Sequence, residues 1–341
     1  MQIAQVAPLM EAVPPKLYGG TERIVAYLTD ELVAMGHEVT LFASGDSSTV
    51  ATLEPGCARA LRLDPTVRDS VAPLLAMLER LAQRARDFDV VHLHCDYLGY
   101  PVLRRAGVPF LATLHGRLDI PELKSLYRVF SDVPVISISD SQREPLPEAA
   151  YFATVYHGLP ERLLLPGNGS GGYLAFLGRI SPEKAPDLAI RIAARAGMRL
   201  KIAAKIDSAD RDYFKTEIEP LLAQPHVEFI GEIGEHEKAE FLGEAAALLF
   251  PIAWPEPFGL VMIEAMACGT PVLAMRGGSV AEVIDEGVTG FVVEDEIAAA
   301  SAAQRISSLD RTTIRTVFEQ RFTARRMAEQ YTRLYQRLTY G

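Results

Sequence analysis

Glu256-Pro257-Phe258-Gly259-Leu260-Val261-Met262-Ile263-Glu264 sets two carboxylates eight positions apart on either side of a helix start. Glu256 lies between Pro255 and Pro257, where no helix runs, whereas Glu264 lies one to two turns into the apolar helix beginning near Gly259. One carboxylate is therefore on a loop and the other on the helix that follows. Between them the amides of Phe258, Gly259 and Leu260 form a helix N-terminus, whose unpaired donors and positive dipole end attract anions. A phosphate flanked by two hydroxyl-rich groups suits such a site, as a nucleotide sugar would present.

Outward from this stretch, short β-branched runs alternate with helical patterns. In the second half the predicted order is strand Tyr173 to Leu177, a helix from Pro182, strand Arg199 to Ala204, helix Ala209 to Leu222 and strand Val227 to Ile230. Helix Glu235 to Ala246, strand Leu248 to Phe250, helix Gly259 to Ala267 and strand Pro271 to Ala274 follow. In the first half, Ile3 to Ala7, Glu38 to Ala43, Val90 to His94, Phe110 to Leu114, Pro134 to Ile138 and Thr154 to Tyr156 read as strands. Thr21 to Met35 reads as a helix with Ile24, Val25, Leu28, Leu32 and Val33 on one stripe. This is the α/β pattern of a parallel, doubly wound sheet, made twice.

The chain's 341 residues suit two domains. The boundary is expected at Leu165 to Gly172, a Gly/Ser/Asn-rich stretch that supplies nothing to a core. That gives domains at 1–165 and 173–322, facing each other across a hinged cleft, and a charged C-terminal helix at 323–341 with Met327, Tyr331, Leu334, Tyr335 and Leu338 on one side. Loops at the carboxyl ends of both sheets would carry the ligand.

Hydrophobic residues at 49% and charged ones at 23% place the chain among folded, soluble proteins. A net charge of −10 argues against nucleic acid as a partner, since a phosphate backbone calls for a broad basic surface. Cys57, Cys95 and Cys268 have neither disulfide-framework nor zinc spacing and fit a reducing cytoplasm. Met1 to Pro8 reads as a buried strand rather than an export signal, and no apolar run approaches the roughly 20 residues of a membrane span. The basic residues Arg104, Arg105, Lys124 and Arg128 allow at most peripheral membrane attachment.

Two further turns carry chemistry. Tyr18-Gly19-Gly20 ends a loop just before a helix, where glycines let amides approach a phosphate, although a tight turn asks for glycine in any case. Its spacing is neither G-x-G-x-x-G nor a P-loop, which weighs against NAD binding and ATP hydrolysis. Leu177-Gly178-Arg179-Ile180-Ser181-Pro182-Glu183-Lys184 follows a strand and opens a helix predicted to be capped by Ser181 with Pro182 at its first position. Arg179 and Lys184 can then stabilise a departing diphosphate, the competing reading being two solvated surface charges.

Taken with Gly277-Gly278 and Glu282-Val283-Ile284, these motifs resemble retaining glycosyltransferase family 4, of GT-B fold, over essentially the whole chain. The resemblance implies that Glu264 holds the ribose hydroxyls of the donor, that Glu256 with the amides of Phe258 to Leu260 holds sugar hydroxyls and phosphate, and that Arg179, Lys184 and Gly20 bind the diphosphate. It implies that His115, in Ala112-Thr113-Leu114-His115-Gly116, stands beside the sugar and that the C-terminal helix crosses back to the first domain. UDP is the carrier to which it first points, with ADP and GDP behind it. The chain departs from the family pattern at Tyr156-His157-Gly158, so His157 is given no role, and at Ala204-Lys205, which leaves recognition of the base unassigned.

His92 and His94 share one face of a strand, where core or rim histidines are more common than a metal pair. Asp87-Phe88-Asp89 spells a D-x-D string but precedes its strand, at the wrong end of the sheet for a site. Trp254 fits either an acceptor platform or a loop anchor. The expected reaction is transfer of a hexose from a nucleoside diphosphate to an acceptor hydroxyl with retained configuration, with no metal and no cofactor beyond the donor itself. The alternatives are a GT-B epimerase or phosphorylase and a nucleotide-sugar-binding protein without catalysis.

Overall fold

Central strands that are apolar along their whole length need cover on both faces, and the computed structural model, which describes residues 1–16 and 19–340, gives them that cover twice over. Tyr18 of the Tyr18-Gly19-Gly20 loop lies outside the described residues. The chain divides into two units, Met1–Pro160 with Ala324–Gly341, and Glu161–Thr323.

In the first unit the elements run β1 (Gln2–Val6), α1 (Gly20–Ala34), β2 (Glu38–Ser44), β3 (Thr52–Cys57), α2 (Val71–Gln83), β4 (Val90–Leu93), α3 (Tyr100–Ala106), β5 (Phe110–Thr113), α4 (Pro121–Val129), β6 (Pro134–Ser137) and β7 (Ala150–Thr154). The strands form one parallel sheet in the order β3-β2-β1-β4-β5-β6-β7. Its order reverses between β1 and β4, the switch point at which doubly wound sheets take ligands. β4 and β5 are buried at every residue, as strands covered on both faces must be.

The second unit runs β8 (Tyr173–Arg179), α5 (Pro186–Ala196), β9 (Arg199–Lys205), α6 (Arg211–Tyr213), β10 (Val227–Gly231), α7 (Glu235–Gly243), β11 (Ala247–Phe250), α8 (Leu260–Ala267), β12 (Val272–Met275), α9 (Val280–Val283), β13 (Gly290–Val293), α10 (Glu296–Ala303) and α11 (Arg311–Arg321). Its parallel sheet is ordered β10-β9-β8-β11-β12-β13, with the switch point between β8 and β11. The last helix, α12 (Ala324–Tyr340), belongs to the first unit, where it buries Met327, Tyr331, Leu334 and Tyr335 and packs beside α1.

Several elements differ from the sequence reading. The helix expected from Pro182 begins only at Pro186, because a proline disfavours helical backbone at the residue before it and Ala185 takes φ +48° instead. Ser181 caps nothing: its hydroxyl is buried and has no hydrogen-bond partner among the described residues. The helix expected over Ala209 to Leu222 is broken into α6, a π turn at Phe214–Ile218 and a 3-10 turn at Glu219–Ala223 that contains Pro220. The Gly-rich stretch is tied down within the second unit. The Gly167 amide donates to Cys268 O at 3.0 Å, and the Gly169 and Gly171 amides donate to Gly243 O and Glu244 O at 2.9 Å each. The Arg311 guanidinium adds bonds to the carbonyls of Gly167, Gly243 and Ala245.

No helix of the described residues is long and apolar enough to cross a membrane.

Candidate functional site

Two strand ends flanking the second unit's switch point deliver the charged residues. β8 ends on Arg179, and the Ser181-to-Ala185 turn that follows carries Lys184. β11 ends on Phe250, and its loop carries Trp254 and Glu256. The Ala253 amide donates to Glu183 O at 2.9 Å, which fastens one loop to the other.

Lys184 Nζ donates to Glu256 Oε2, and the Trp254 indole N–H donates to the same oxygen at 2.9 Å. The ammonium also lies 5.7 Å from the Phe250 ring and 5.6 Å from the Trp254 ring, within reach of a cation–π attraction. Trp254 is thus an anchor of the Glu256 loop. Arg179 stands among carboxylates, 3.4 Å from Asp210, 3.7 Å from Asp207 and 3.9 Å from Glu183, and its buried Nε makes no hydrogen bond among the described residues. Of the two cations expected to act together, only Lys184 is fixed to Glu256.

Gly259 closes the loop at φ +78°, and α8 starts at Leu260, one residue after the sequence reading. A side chain at Gly259 would put its Cβ 2.8 Å from Met262 Cε and 2.9 Å from Phe250 Cζ, so the turn excludes one. Phe258 is buried, and its carbonyl accepts from Ser279 Oγ at 2.8 Å. The turn after β12 grips the same loop: the Ser279 amide donates to Glu256 O at 3.0 Å, and a Cβ on Gly278 would fall 2.1 Å from that oxygen. Gly278→Ala should therefore cost about 3 kcal/mol or more, because it adds a left-handed strain at φ +52° to a backbone clash. Urea unfolding with an unchanged midpoint would show that the loop is not held there.

Glu264 lies in α8, buried, and accepts from Lys238 Nζ of α7 at 2.6 Å. Sequence reasoning passed over Lys238, since a lysine in Glu235-His236-Glu237-Lys238 looks solvated; only the packing of α7 beside α8 buries it.

In the first unit, Gly19 precedes α1 and Gly20 is its first residue. A Cβ on Gly19 would lie 2.8 Å from Pro15, a close approach that accounts for the glycine. His115 follows β5, on a turn held by buried Gln142, whose Nε2 donates to Leu114 O at 2.8 Å and to Gly116 O at 2.7 Å. Its Nε2 is 2.9 Å from His94 Nδ1, and its ring stacks on His157 at 5.3 Å between centroids. His157, given no role from the sequence, therefore joins His115. Burial holds His115 down to about 3 and holds His92, His94 and His157 well below the usual histidine value, so all four are neutral at pH 7. His92 is bonded on both ring nitrogens, to Tyr335 and to Thr113 at 2.7 Å each, as a core histidine is. Asp87-Phe88-Asp89 lies at the amino end of β4, where Asp89 accepts from the Gln2 amide at 2.8 Å, away from the carboxyl ends.

The chain is similar to known glycosyltransferases along most of its length. Residues 18–148 match the family described as Glycosyltransferase Family 4, and residues 167–321 match the one described as Glycosyl transferases group 1. A D-inositol 3-phosphate glycosyltransferase of Frankia alni is 29% identical over an alignment spanning 86% of this chain and 85% of that protein. The protein of that name from Acidothermus cellulolyticus is 26% identical over 81% of this chain and 75% of its own length. Among solved structures, AviGT4, a glycosyltransferase involved in avilamycin A biosynthesis, superposes with a TM-score of 0.74 at 24% identity, covering 100% of this chain and 98% of its own. Anabaena HepE, in complex with UDP and glucose, gives a TM-score of 0.74 at 20% identity over 98% of this chain and 99% of its own. With two doubly wound sheets, a charged site at a switch point and both halves matched in order, the chain belongs to the GT-B glycosyltransferases of family 4.

Proposed function

We propose that the enzyme moves a hexose from UDP to an acceptor hydroxyl, retains the configuration at the anomeric carbon and uses no metal ion. The observation that carries this reading is that both carboxylates of the Glu256/Glu264 pair are occupied. Glu256 is held by Lys184 and Trp254, and Glu264 is buried against Lys238. Neither is free to attack an anomeric carbon, which a double-displacement retaining mechanism demands of a carboxylate.

Same-face displacement needs no such nucleophile. The bond from the anomeric carbon to the diphosphate breaks, the acceptor oxygen bonds to that carbon on the same face, and the leaving phosphate oxygen takes the acceptor's proton. The products are UDP and the glycoside. The work left for the protein is positioning and charge stabilisation. Lys184, Arg179 and the amides of Phe258, Gly259 and Leu260 would meet the diphosphate, Glu256 the sugar hydroxyls and Glu264 the ribose, and in the first unit His115, Gly19 and Gly20 are the residues assigned to sugar and phosphate. Lys184 and Arg179 would supply the charge that a metal brings in other transferases. The three free cysteines suit a cytoplasmic enzyme.

A thermal-shift screen of nucleoside diphosphates and their sugars is the direct test. UDP at 100 times its dissociation constant should stabilise by about 2.7 kcal/mol. The donor selected is then turned over with excess chelator, an acceptor panel headed by the D-inositol 3-phosphate of the relatives' name, and the anomer of the product is read by NMR. An inverted product, or turnover lost with chelator and restored by a divalent cation, would overturn the mechanism.

Glu264→Gln should weaken donor binding and also lower stability, because it leaves the Lys238 ammonium buried without its counter-charge. In the double variant Glu264→Gln/Lys238→Met the stability should return while donor binding stays weak. Calorimetry showing wild-type donor affinity in the double variant would remove Glu264 from ribose binding.

A further inference from the structure

A line of buried side chains in the first unit runs from α12 to His115. Tyr331 OH lies 2.8 Å from Thr113 Oγ1, which lies 2.7 Å from His92 Nε2, and His92 Nδ1 lies 2.7 Å from Tyr335 OH. Gln5 Nε2 donates to Tyr335 OH at 3.0 Å, His94 Nε2 lies 2.7 Å from Gln5 Oε1, and His94 Nδ1 lies 2.9 Å from His115 Nε2.

The direction of the bonds follows from the amide. With its nitrogen turned to Tyr335, Gln5 presents to His94 an oxygen that can only accept, so His94 Nε2 carries the hydrogen. A neutral imidazole has one N–H, which leaves His94 Nδ1 as an acceptor and puts the hydrogen of the next bond on His115 Nε2. His115 Nδ1 then holds a bare lone pair. That atom is buried and has no hydrogen-bond partner among the described residues, although the residue keeps some exposure to solvent. An unpaired buried acceptor is a standing cost that a donating ligand group removes on binding.

We propose that Tyr335, Gln5 and His94 are positioning residues that lock His115 in the Nε2–H tautomer, so that Nδ1 is an acceptor for a hydroxyl of the sugar being transferred. The substrate half of this statement rests on the placement of His115 beside the sugar proposed above; the tautomer half stands on the hydrogen bonds alone. In consequence the last helix of the chain sets the chemistry of a residue in its first half, through a glutamine on β1.

The test uses the full chain with 15N-labelled histidine and two-bond proton–nitrogen correlation spectra at pH 7.5, the His115 signals being assigned by their loss in His115→Gln. The wild type should show a protonated Nε2 and a bare Nδ1. In Tyr335→Phe the Gln5 amide loses the partner that orients it, and His115 should become a mixture of tautomers with kcat down roughly tenfold and the donor KM little changed. His94→Asn, whose Oδ1 stands where Nδ1 stood, should keep the Nε2–H form and most of kcat. A wild-type His115 protonated on Nδ1 overturns the proposal, as does Tyr335→Phe with an unmixed tautomer. Mixed tautomers with unchanged kcat overturn the substrate half. Full turnover in His115→Gln would instead sink the placement of His115 in the site, an outcome read from activity alone and separate from the spectra.

Discussion

Lys184→Ala should lower kcat by roughly 100- to 1,000-fold, the range found when one fixed donor is removed from a charge-stabilising site. The ammonium is held between Glu256 and the rings of Phe250 and Trp254, so it costs no reorganisation when negative charge gathers on the departing phosphate. Its loss also leaves the Glu256 carboxylate, 8% exposed, with the Trp254 N–H as its remaining named partner. A bare carboxylate there would oppose the diphosphate as well as fail to help it. Lys184→Ala/Glu256→Gln, which removes both charges, should regain donor affinity and not kcat. Steady-state rates at saturating donor decide the matter, and a kcat within a factor of two of the wild type in Lys184→Ala would take this residue out of the reaction.

Acid should unfold the first unit well above the range in which carboxylates titrate. Histidines buried neutral must gain protons on unfolding, and each one whose folded value lies below the ordinary value near 6.5 makes the unfolded chain the better proton acceptor. Stability is then fully present above about pH 6.5 and is lost as the pH falls toward the folded value, which for His115 is about 3. Between pH 7.5 and pH 5 that residue alone removes about 2 kcal/mol by linkage. His92, His94 and His157 are shifted in the same direction by the same burial and add to the loss. Urea midpoints across pH 5 to 7.5 should fall steeply on the acid side; a flat profile would mean that the cluster already holds protons in the folded state.

Both sheets were legible because their strands are short apolar runs set off by charged or turn-forming residues, Asp89 before Val90 to Leu93 and Pro251 after Leu248 to Phe250. β3 escaped because Thr52-Leu53-Glu54-Pro55-Gly56-Cys57 carries a proline and a glycine, which an edge strand tolerates and a propensity reading rejects. β13, four residues long, was also passed over. Around the site, Glu256, Glu264 and Lys184 could be found from local spacing, since a loop and the helix after it fix their separation. Their partners could not. Lys238 meets Glu264 across two helices, and Gln5 meets Tyr335 across 330 positions, so neither pairing leaves a periodic trace. The late start of α5 was in principle readable from Pro186, whose effect on Ala185 outweighs the helix signal of Ser181-Pro182.

The return of α12 to the first unit bears on how the molecule is made. Residues 161–323 are contiguous and all present once that stretch has left the ribosome, while the sheet begun at Gln2 lacks Tyr331 and Tyr335 until the whole of the second unit has been made. The half translated first is thus the half completed last, an inversion of the usual order in which domains mature. Until then Gln5, His92 and Thr113 wait for the phenols of the tail, and a polypeptide stopped at Thr323 carries that vacancy for good.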